Sequence, residues 1–418
     1  MAHKVELIAV GTELLLGSIV NTDAQMLSQG LTALGLNVYW HTVVGDNPQR
    51  LGETLEIAKK RADIIITTGG LGPTCDDLTK HVICQTFGKK LVTDAESEQR
   101  IRSYFSKTNR PMTENNLQQA LVPEGCTVFS NDWGSAPGCA FEANGVYVLM
   151  LPGPPSECTP MFQYRAVPYL QSLSEGVIAS HTLKLFGIGE SAVEAQLREQ
   201  MNTMSNPTLA PYVKEGECEL RVTAKAETEQ EAQSLLSPVV EQLISHFGAL
   251  VYGVDVPSLS WVVLQKLKVA HLTLGTAESC TGGLIAKLIT DLPGASQAFK
   301  GGIVSYTNEV KANVLGVPAP LLEQYGAVSA PVAQAMAEGA RRVLGCDIAL
   351  SSTGVAGPDR DDRGNEVGTI FVAIATPDGC HVRPLSLGNR PVRERLRTHT
   401  ALHALDLLRR YLSNLSYE

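Results

Sequence analysis

The sequence predicts an α/β protein of three successive units, and three observations carry that expectation. Over residues 1–172, short β-rich runs alternate with stretches whose apolar residues recur at helical spacing, the pattern of a parallel sheet covered on both faces. Over residues 173–253 the rhythm becomes strand, helix, two strands and helix, which marks a small α+β module. Over residues 254–418 the strand and helix alternation resumes. A chain of 418 residues is too long for one ordinary domain, and with 44% hydrophobic and 18% charged residues it has material for several cores. That balance excludes fibrous and disordered classes.

In the first unit, Val5–Val10 reads as a short buried strand, Thr22–Leu34 as a helix, Asn37–Val44 as a strand and Pro48–Arg61 as a helix. Asp63–Thr68 and Val146–Leu151 are the next strands. Right-handed crossovers bring the loops after such strands to one edge, where open α/β sheets take ligands. Two of these loops are Gly11-Thr12-Glu13 and Thr68 to Asp77. Gly69, Gly70 and Gly72 let backbone amides approach a ligand, and the paired Asp76 and Asp77 suit a hard cation such as Mg2+. The alternative for the pair is that one of them caps a helix. The segments Asn131–Gly138, with Ser135 and Gly138, and Leu151–Glu157 flank the last strand, as walls of a site or as plain turns.

The middle module reads as strands His181–Phe186, Thr208–Val213 and Cys218–Ala224 with helices Ser191–Met201 and Glu229–His246. No GxxG loop lies between adjacent helices, so direct nucleic-acid binding is unsupported. We read the module as a spacer or dimerisation unit, with Glu190 a candidate contributor to the first unit's site.

The third unit opens with a helix at Pro257–Leu267, continues through strands at Thr273–Thr276, Ile303–Tyr306, Ile348–Ser352 and Thr369–Ala375, and has long helices at Pro331–Leu344 and Arg395–Leu412. Its sharpest feature is the strand-to-helix turn Glu278-Ser279-Cys280-Thr281-Gly282-Gly283. A serine at a helix N-terminus faces unsatisfied amides that can hold an oxyanion, although serine is also a common cap. Cys280 is the rival nucleophile, and the nearest histidine, His271, is expected in the entering strand. Lys311 is the candidate base: if Asn308 caps the next helix, Lys311 sits in its first turn, where dipole and desolvation both disfavour the ammonium, and Tyr306 can orient or relay. The loop Ser351–Pro358, with Thr353, Gly354 and Gly357, suits a phosphate cradle, and Arg390, Arg393, Arg395 and Arg397 form a local anion site or a solvated face.

The net charge of −9 offers no bulk field for nucleic acid. Nine cysteines, an odd number with no CxxC pair, suit a reducing compartment, and no apolar run is long enough to span a bilayer, so a cytoplasmic address away from membranes is expected.

The segments Val10–Gly17, Gly69–Thr74 with Asp76-Asp77, Leu151–Pro155, Glu278–Gly283, Lys300–Gly302, Ser305–Glu309 and Gly326–Ser329 closely resemble, in order, those of the bacterial competence/damage-inducible CinA family, over essentially the whole chain. The resemblance implies a molybdopterin-binding-like three-layer α/β domain over 1–172, a KH-like α+β module over 173–253, and over 254–418 an α/β domain similar to nicotinamide mononucleotide deamidases. It implies that Ser279 attacks the amide, with Lys311 as base, Tyr306 assisting and amides near Thr281, Gly282 and Gly283 holding the oxyanion. The products are nicotinate mononucleotide and ammonia, without a cofactor. For the N-terminal domain it implies cleavage of ADP-ribose to AMP and ribose 5-phosphate with a divalent metal, Mg or Co, and K as a further candidate ion. A homodimer is the family-based expectation. Gly388-Asn389-Arg390 resembles the family's phosphate element directly, while spacing to Ala404-Leu405 favours Arg393. The loop Asp359-Arg360-Asp361-Asp362 departs from the family's glycines. Two other readings stand beside this one: an interaction protein of DNA-uptake machinery without direct DNA contact, and an N-terminal molybdopterin or nucleotide transferase.

Overall fold

The computed structural model describes residues 3–74, 76–108, 111–173, 176–214, 216–388 and 392–417. They form two compact units, one of residues up to Ser180 with Thr223–Leu235, the other of His181–Val222 with Leu236 onward.

The first unit holds strands β1 (Lys4–Val10), β2 (Asn37–Val44) and β3 (Ile64–Thr68), a ribbon of β4 (Leu91–Thr93) and β5 (Leu121–Pro123), and then β6 (Thr127–Phe129), β7 (Gly138–Ala143) and β8 (Val146–Leu151). The main sheet runs β2-β1-β3-β8-β7-β6. Its first four strands are parallel and the last two join antiparallel. Alternation along a strand explains why β1 is apolar at nearly every position: Val5 and Leu7 enter one cluster, beneath Leu27, Leu31 and Phe162, while Ile8 and Val10 enter the other, beneath Leu51, Leu55 and Ile83. Glu6 is the exception, fully buried in mid-strand. Its carboxylate accepts two bonds from Arg61, at 2.8 and 2.7 Å, and one from Thr42 Oγ1 at 2.7 Å, and the guanidinium lies over the Trp40 ring.

Strands β9 (Val177–Phe186), β10 (Thr208–Lys214), β11 (Glu217–Ala226) and β12 (Val251–Val254) make a four-stranded sheet in the order β10-β11-β9-β12, with helices Glu190–Thr203 and Glu229–Phe247 completing the α+β module. The remaining sheet is built of β13 (Leu274–Glu278), β14 (Phe299–Val304), β15 (Ile348–Gly354), β16 (Thr369–Thr376) and β17 (Gly379–Ser386), in the order β14-β13-β15-β16-β17. β13 lies parallel to β14 and β15, and β16 and β17 extend the sheet antiparallel. One face, with Leu274, Ile348, Leu350, Val372 and Ile374, packs on apolar residues of helices Leu259–Ala270 and Arg393–Leu412. On the other, Ala277 and Ala349 pack with Val332, Met336 and Ala340 of helix Ala330–Leu344.

Two expectations are corrected. The strand expected at Ile303–Tyr306 occupies Phe299–Val304 instead, across Gly301 and Gly302. A Cβ on Gly302 would stand 2.6 Å from Thr276 Oγ1, so close strand contact here requires the residue that strand propensity counts against. His271 is not in a strand: it ends helix Leu259–Ala270 in the left-handed conformation, φ 55°. Among the described residues, no helix is long and apolar enough to cross a membrane.

Candidate functional site

Strand β13 delivers Ser279 to the sheet's edge, where the Ser279 amide donates to Ser352 O at 2.9 Å and fixes the serine beside the end of β15. The chain then turns through Gly282 and Gly283, at φ 59° and 94°, before helix Leu284–Thr290. Only glycine adopts that pair of conformations without strain. The turn is held from within by Glu278, 1% exposed. Its Oε2 accepts from Thr281 Oγ1 at 2.7 Å and from the amides of Gly283 and Ile285 at 3.0 Å. Its Oε1 accepts from the Ala286 amide at 2.8 Å and from Thr276 Oγ1 at 3.3 Å. The helix end expected to face a substrate is therefore largely satisfied by a carboxylate of the chain itself. The Thr281 hydroxyl is bound to Glu278 and Ser352, and the Gly283 amide is bound to Glu278.

Lys311 comes from helix Asn308–Asn313, whose cap is Thr307 rather than Asn308: the Thr307 hydroxyl accepts from the Val310 amide. The lysine is 1% exposed. Its Nζ donates to Ser279 Oγ at 3.2 Å, to Ser305 O at 2.8 Å and, long, to Tyr306 O at 3.4 Å. Burial pulls it down to about 8. Tyr306 meets Lys311 through its carbonyl, while its hydroxyl accepts from Arg393 Nη2 at 2.8 Å. Cys280 lies in the core with its thiol pushed up to about 12 by burial, so it remains a thiol at neutral pH and the rival nucleophile falls.

Of the residues read as a phosphate cradle, Thr353 is a buried residue of β15 whose hydroxyl donates to Ala327 O at 2.7 Å. Gly354 ends that strand, where a Cβ would stand 2.5 Å from Ile370. The strand that carries both runs two residues further than expected. Gly357 presents its carbonyl to Arg393 Nη1 at 2.5 Å. Arg390 lies outside the described residues. Arg397, read from sequence only as part of a basic run, donates to Thr281 O at 2.7 Å. The sequence reading passed over Glu278, although a carboxylate one residue before a glycine turn that opens a helix is the available signal for such a clamp.

In the first unit, the loops after β1, β3 and β8 meet around a cavity of about 600 Å3. Gly11, Glu13, Gly69, Gly70, Gly72, Asp76, Asp77 and Ser135 all line it. Close approach explains one glycine: a Cβ on Gly69, at φ 91°, would stand 2.2 Å from Val10 O. Gly138 does not line the cavity; it is packed in β7, where a Cβ would meet Met161 Sδ at 2.5 Å. Glu190 belongs to the second unit, at the start of helix Glu190–Thr203. Asp77 closes its own loop, accepting from the Thr74 amide at 2.9 Å and hydroxyl at 2.6 Å. Three carboxylates that sequence reasoning missed share the wall: Asp23, pushed up to about 6 by burial, Asp46, bonded to the Thr12 amide and hydroxyl at 2.8 Å, and Glu157, raised by burial against an opposing bond from Asn131. These six carboxylates face the cavity without one Lys, Arg or His among its lining residues. An anionic ligand enters such a wall only with a cation, so the donor set fits a hard divalent metal. Among the described residues, no three carboxylate, thiol or imidazole groups are gathered as a metal site.

Comparison with known proteins divides the chain the same way as its chemistry. Residues 6–172 match the family described as a probable molybdopterin binding domain, 180–253 the CinA KH domain, and 257–412 the CinA C-terminal domain. A CinA-like protein of Dictyoglomus thermophilum is 47% identical over 99% of this chain and 100% of its own length. The CinA-like protein of Dictyoglomus turgidum is 46% identical over the same shares. The crystal structure of a competence/damage inducible protein from Agrobacterium tumefaciens is 34% identical, covering 37% of this chain and 93% of that one, with a TM-score of 0.36. With all three domain families present in order and full-length relatives at this identity, the chain belongs to the CinA family.

Proposed function

We propose that this chain is a bifunctional pyridine-nucleotide salvage enzyme, its C-terminal site a Ser/Lys amidohydrolase acting on nicotinamide mononucleotide. The observation that carries the reading is a buried lysine amine 3.2 Å from a turn serine hydroxyl. In the neutral amine, the carbonyls of Ser305 and Tyr306 take up its N–H bonds and leave the lone pair toward Ser279 Oγ. Lys311 accepts the hydroxyl proton as Ser279 Oγ bonds to the carboxamide carbon. The Thr281 amide, for which no bond is found among the described residues, is a donor at the crest of the turn for the oxyanion. Collapse breaks the carbon–nitrogen bond, the lysine ammonium returns its proton to the departing ammonia, and water attacks the acyl serine with Lys311 again as base, releasing nicotinate mononucleotide.

The N-terminal cavity supports the second half of the reading, hydrolysis of ADP-ribose to AMP and ribose 5-phosphate. Asp76 and Asp77, with Glu13 in the same wall, are the groups that would hold a divalent cation there. When bound, the cation offsets the charge of the diphosphate in a wall of carboxylates. Gly69, Gly70 and Gly72 line the same cavity; the Gly69 amide donates to Leu151 O at 3.1 Å, so the amides of Gly70 and Gly72 are the ones that would face a diphosphate there.

Ammonia release from nicotinamide mononucleotide, measured for the wild type, Ser279→Ala and Lys311→Ala with and without a chelator, tests the C-terminal half. Release that resists the chelator and falls by three orders of magnitude or more in each variant is expected. Wild-type turnover in folded Ser279→Ala would falsify it.

A further inference from the structure

Strands β6 and β7 are joined by a loop that gives Ser135 and Ala136 to the first cavity, and a cysteine stands on either side of it. Cys126 immediately precedes β6, and Cys139 is the second residue of β7, where it lies opposite Val128. Residues two apart in extended chain share a face, so Cys126 comes to the side of the sheet on which Cys139 is buried, and both pack in the same apolar cluster. There the two thiols hydrogen-bond to each other. They differ in access. Cys139 is wholly buried, whereas Cys126 is half-buried.

A buried amine accompanies them. Lys80, in helix Thr79–Phe87, is 4% exposed and donates through Nζ to Gln119 O at 2.7 Å. Its charge is felt at Cys126, at Cys139 and at Cys84, one helical turn further along the same helix. Burial draws this lysine below its ordinary value. An amine taken out of water beside sulfur is costly as packing alone, and neither site described above uses it. The bond from Cys139 is the largest cause holding the Cys126 thiol below its ordinary value, against burial, and Lys80 adds to it. Cys139 is pushed the other way by the same bond and by burial. Cys84 is pushed up to about 11, chiefly by burial. The more open sulfur is therefore also the one that ionises first, and its neighbour is a protonated thiol in contact with it.

We infer that Cys126 and Cys139 are a peroxide-responsive thiol pair, closing to a disulfide that ties together the two sides of the loop 130–137. Lys80 takes the Cys126 proton, and the thiolate attacks one oxygen of hydrogen peroxide. The O–O bond breaks, sulfur gives up two electrons to form the sulfenic acid, and the departing hydroxide regains the proton from Lys80 as water. The Cys139 sulfur then attacks the sulfenic sulfur; the S–S bond forms, the S–O bond breaks, and the hydroxyl leaves with the Cys139 proton as a second water. Two thiols and one peroxide thus give one disulfide and two waters. The crosslink closes a ring around the loop and removes freedom from a wall of the first cavity. None of this depends on which ligand that cavity takes.

The reduced full-length protein is treated with hydrogen peroxide in the presence of a chelator, its remaining thiols are blocked with N-ethylmaleimide, and its peptides are mapped by mass spectrometry without reduction. A Cys126–Cys139 linked peptide, lighter by two hydrogens and lost on treatment with dithiothreitol, is expected. No linked peptide, or one that joins Cys126 to Cys84, overturns the pair. Cys126→Ala, a change at the half-buried position, is expected to keep the wild-type Tm and leave Cys139 reduced; Cys139 oxidised at the wild-type rate in this variant also overturns it. Folded Cys139→Ala is expected to stop at the Cys126 sulfenic acid, trapped by dimedone. Lys80→Met is expected to slow formation of the link about tenfold or more, and an unchanged rate removes the lysine from the step. Amide exchange over 130–137 is expected to slow on oxidation in the wild type and not in Cys126→Ala. Equal exchange in oxidised and reduced wild type, with the linked peptide present, overturns the constraint on the loop.

Discussion

Lys311 is an ammonium in water and an amine in its site, and the pH at which it changes sets when the C-terminal site works. Burial is the largest cause of the shift, and the value of about 8 places roughly a tenth of the lysine in the reactive neutral form at pH 7. Turnover of nicotinamide mononucleotide is therefore expected to climb between pH 7 and 9 and to level above it. Cys280, pushed up to about 12, contributes nothing in that window. The same shift has a sign for stability. The folded value lies below the usual lysine value of 10.5, so stability present above 10.5 is lost as pH falls through about 8. Lys311→Met, which cannot be charged, is expected to abolish turnover and raise Tm at pH 7. A flat pH–rate profile together with an unchanged Tm would contradict both arguments. Ser279 and Lys311 were legible because the glycines at 282 and 283 mark a strand-to-helix crest and because the Glu278–Gly283 and Ser305–Glu309 segments carry the CinA resemblance. The roles of Thr353 and Tyr306 were not, because a hydroxyl's partner is decided by neighbours that are remote in sequence: Ala327 for one, Arg393 for the other.

At the scale of the element, the turn 279–283 and the helix behind it behave as one piece because Glu278 joins them. The carboxylate takes bonds from the middle and the end of the turn and from the first turn of the helix. Glu278→Gln keeps the shape but offers one acceptor oxygen and turns an amide N–H toward backbone donors. Loss of about 2–4 kcal/mol is expected in a denaturant titration, with kcat falling while KM changes little, because the serine is misplaced rather than the substrate. A stability unchanged within error would show that the clamp is not what holds the turn. The strands on either side were readable from their β-branched runs. The displaced start of β14 was not, because Gly301 and Gly302 weaken the propensity signal and their justification lies across the sheet, in Thr276.

For the whole molecule, the sheet orders follow from the alternation of strand and helix, and the edge loops gather where parallel topology sends them. What the sequence left hidden was how the two sites differ in charge, since Asp23, Asp46 and Glu157 are scattered singly and meet only when the sheet lines up β2, β1, β3 and β8. The buried Glu6 has a consequence for how this chain survives in a crowded solution. A strand greasy on both faces recognises almost any other such strand, including its copy in a neighbouring molecule. Glu6 makes every partner but one costly, because only the native arrangement supplies Arg61 and Thr42 to a charge that has left water. Glu6→Leu is therefore expected to keep the wild type's scattering signal in dilute solution while shortening the time to visible aggregation on refolding, read by light scattering. Equal scattering from the two proteins would remove this role and leave the ion pair as no more than local packing.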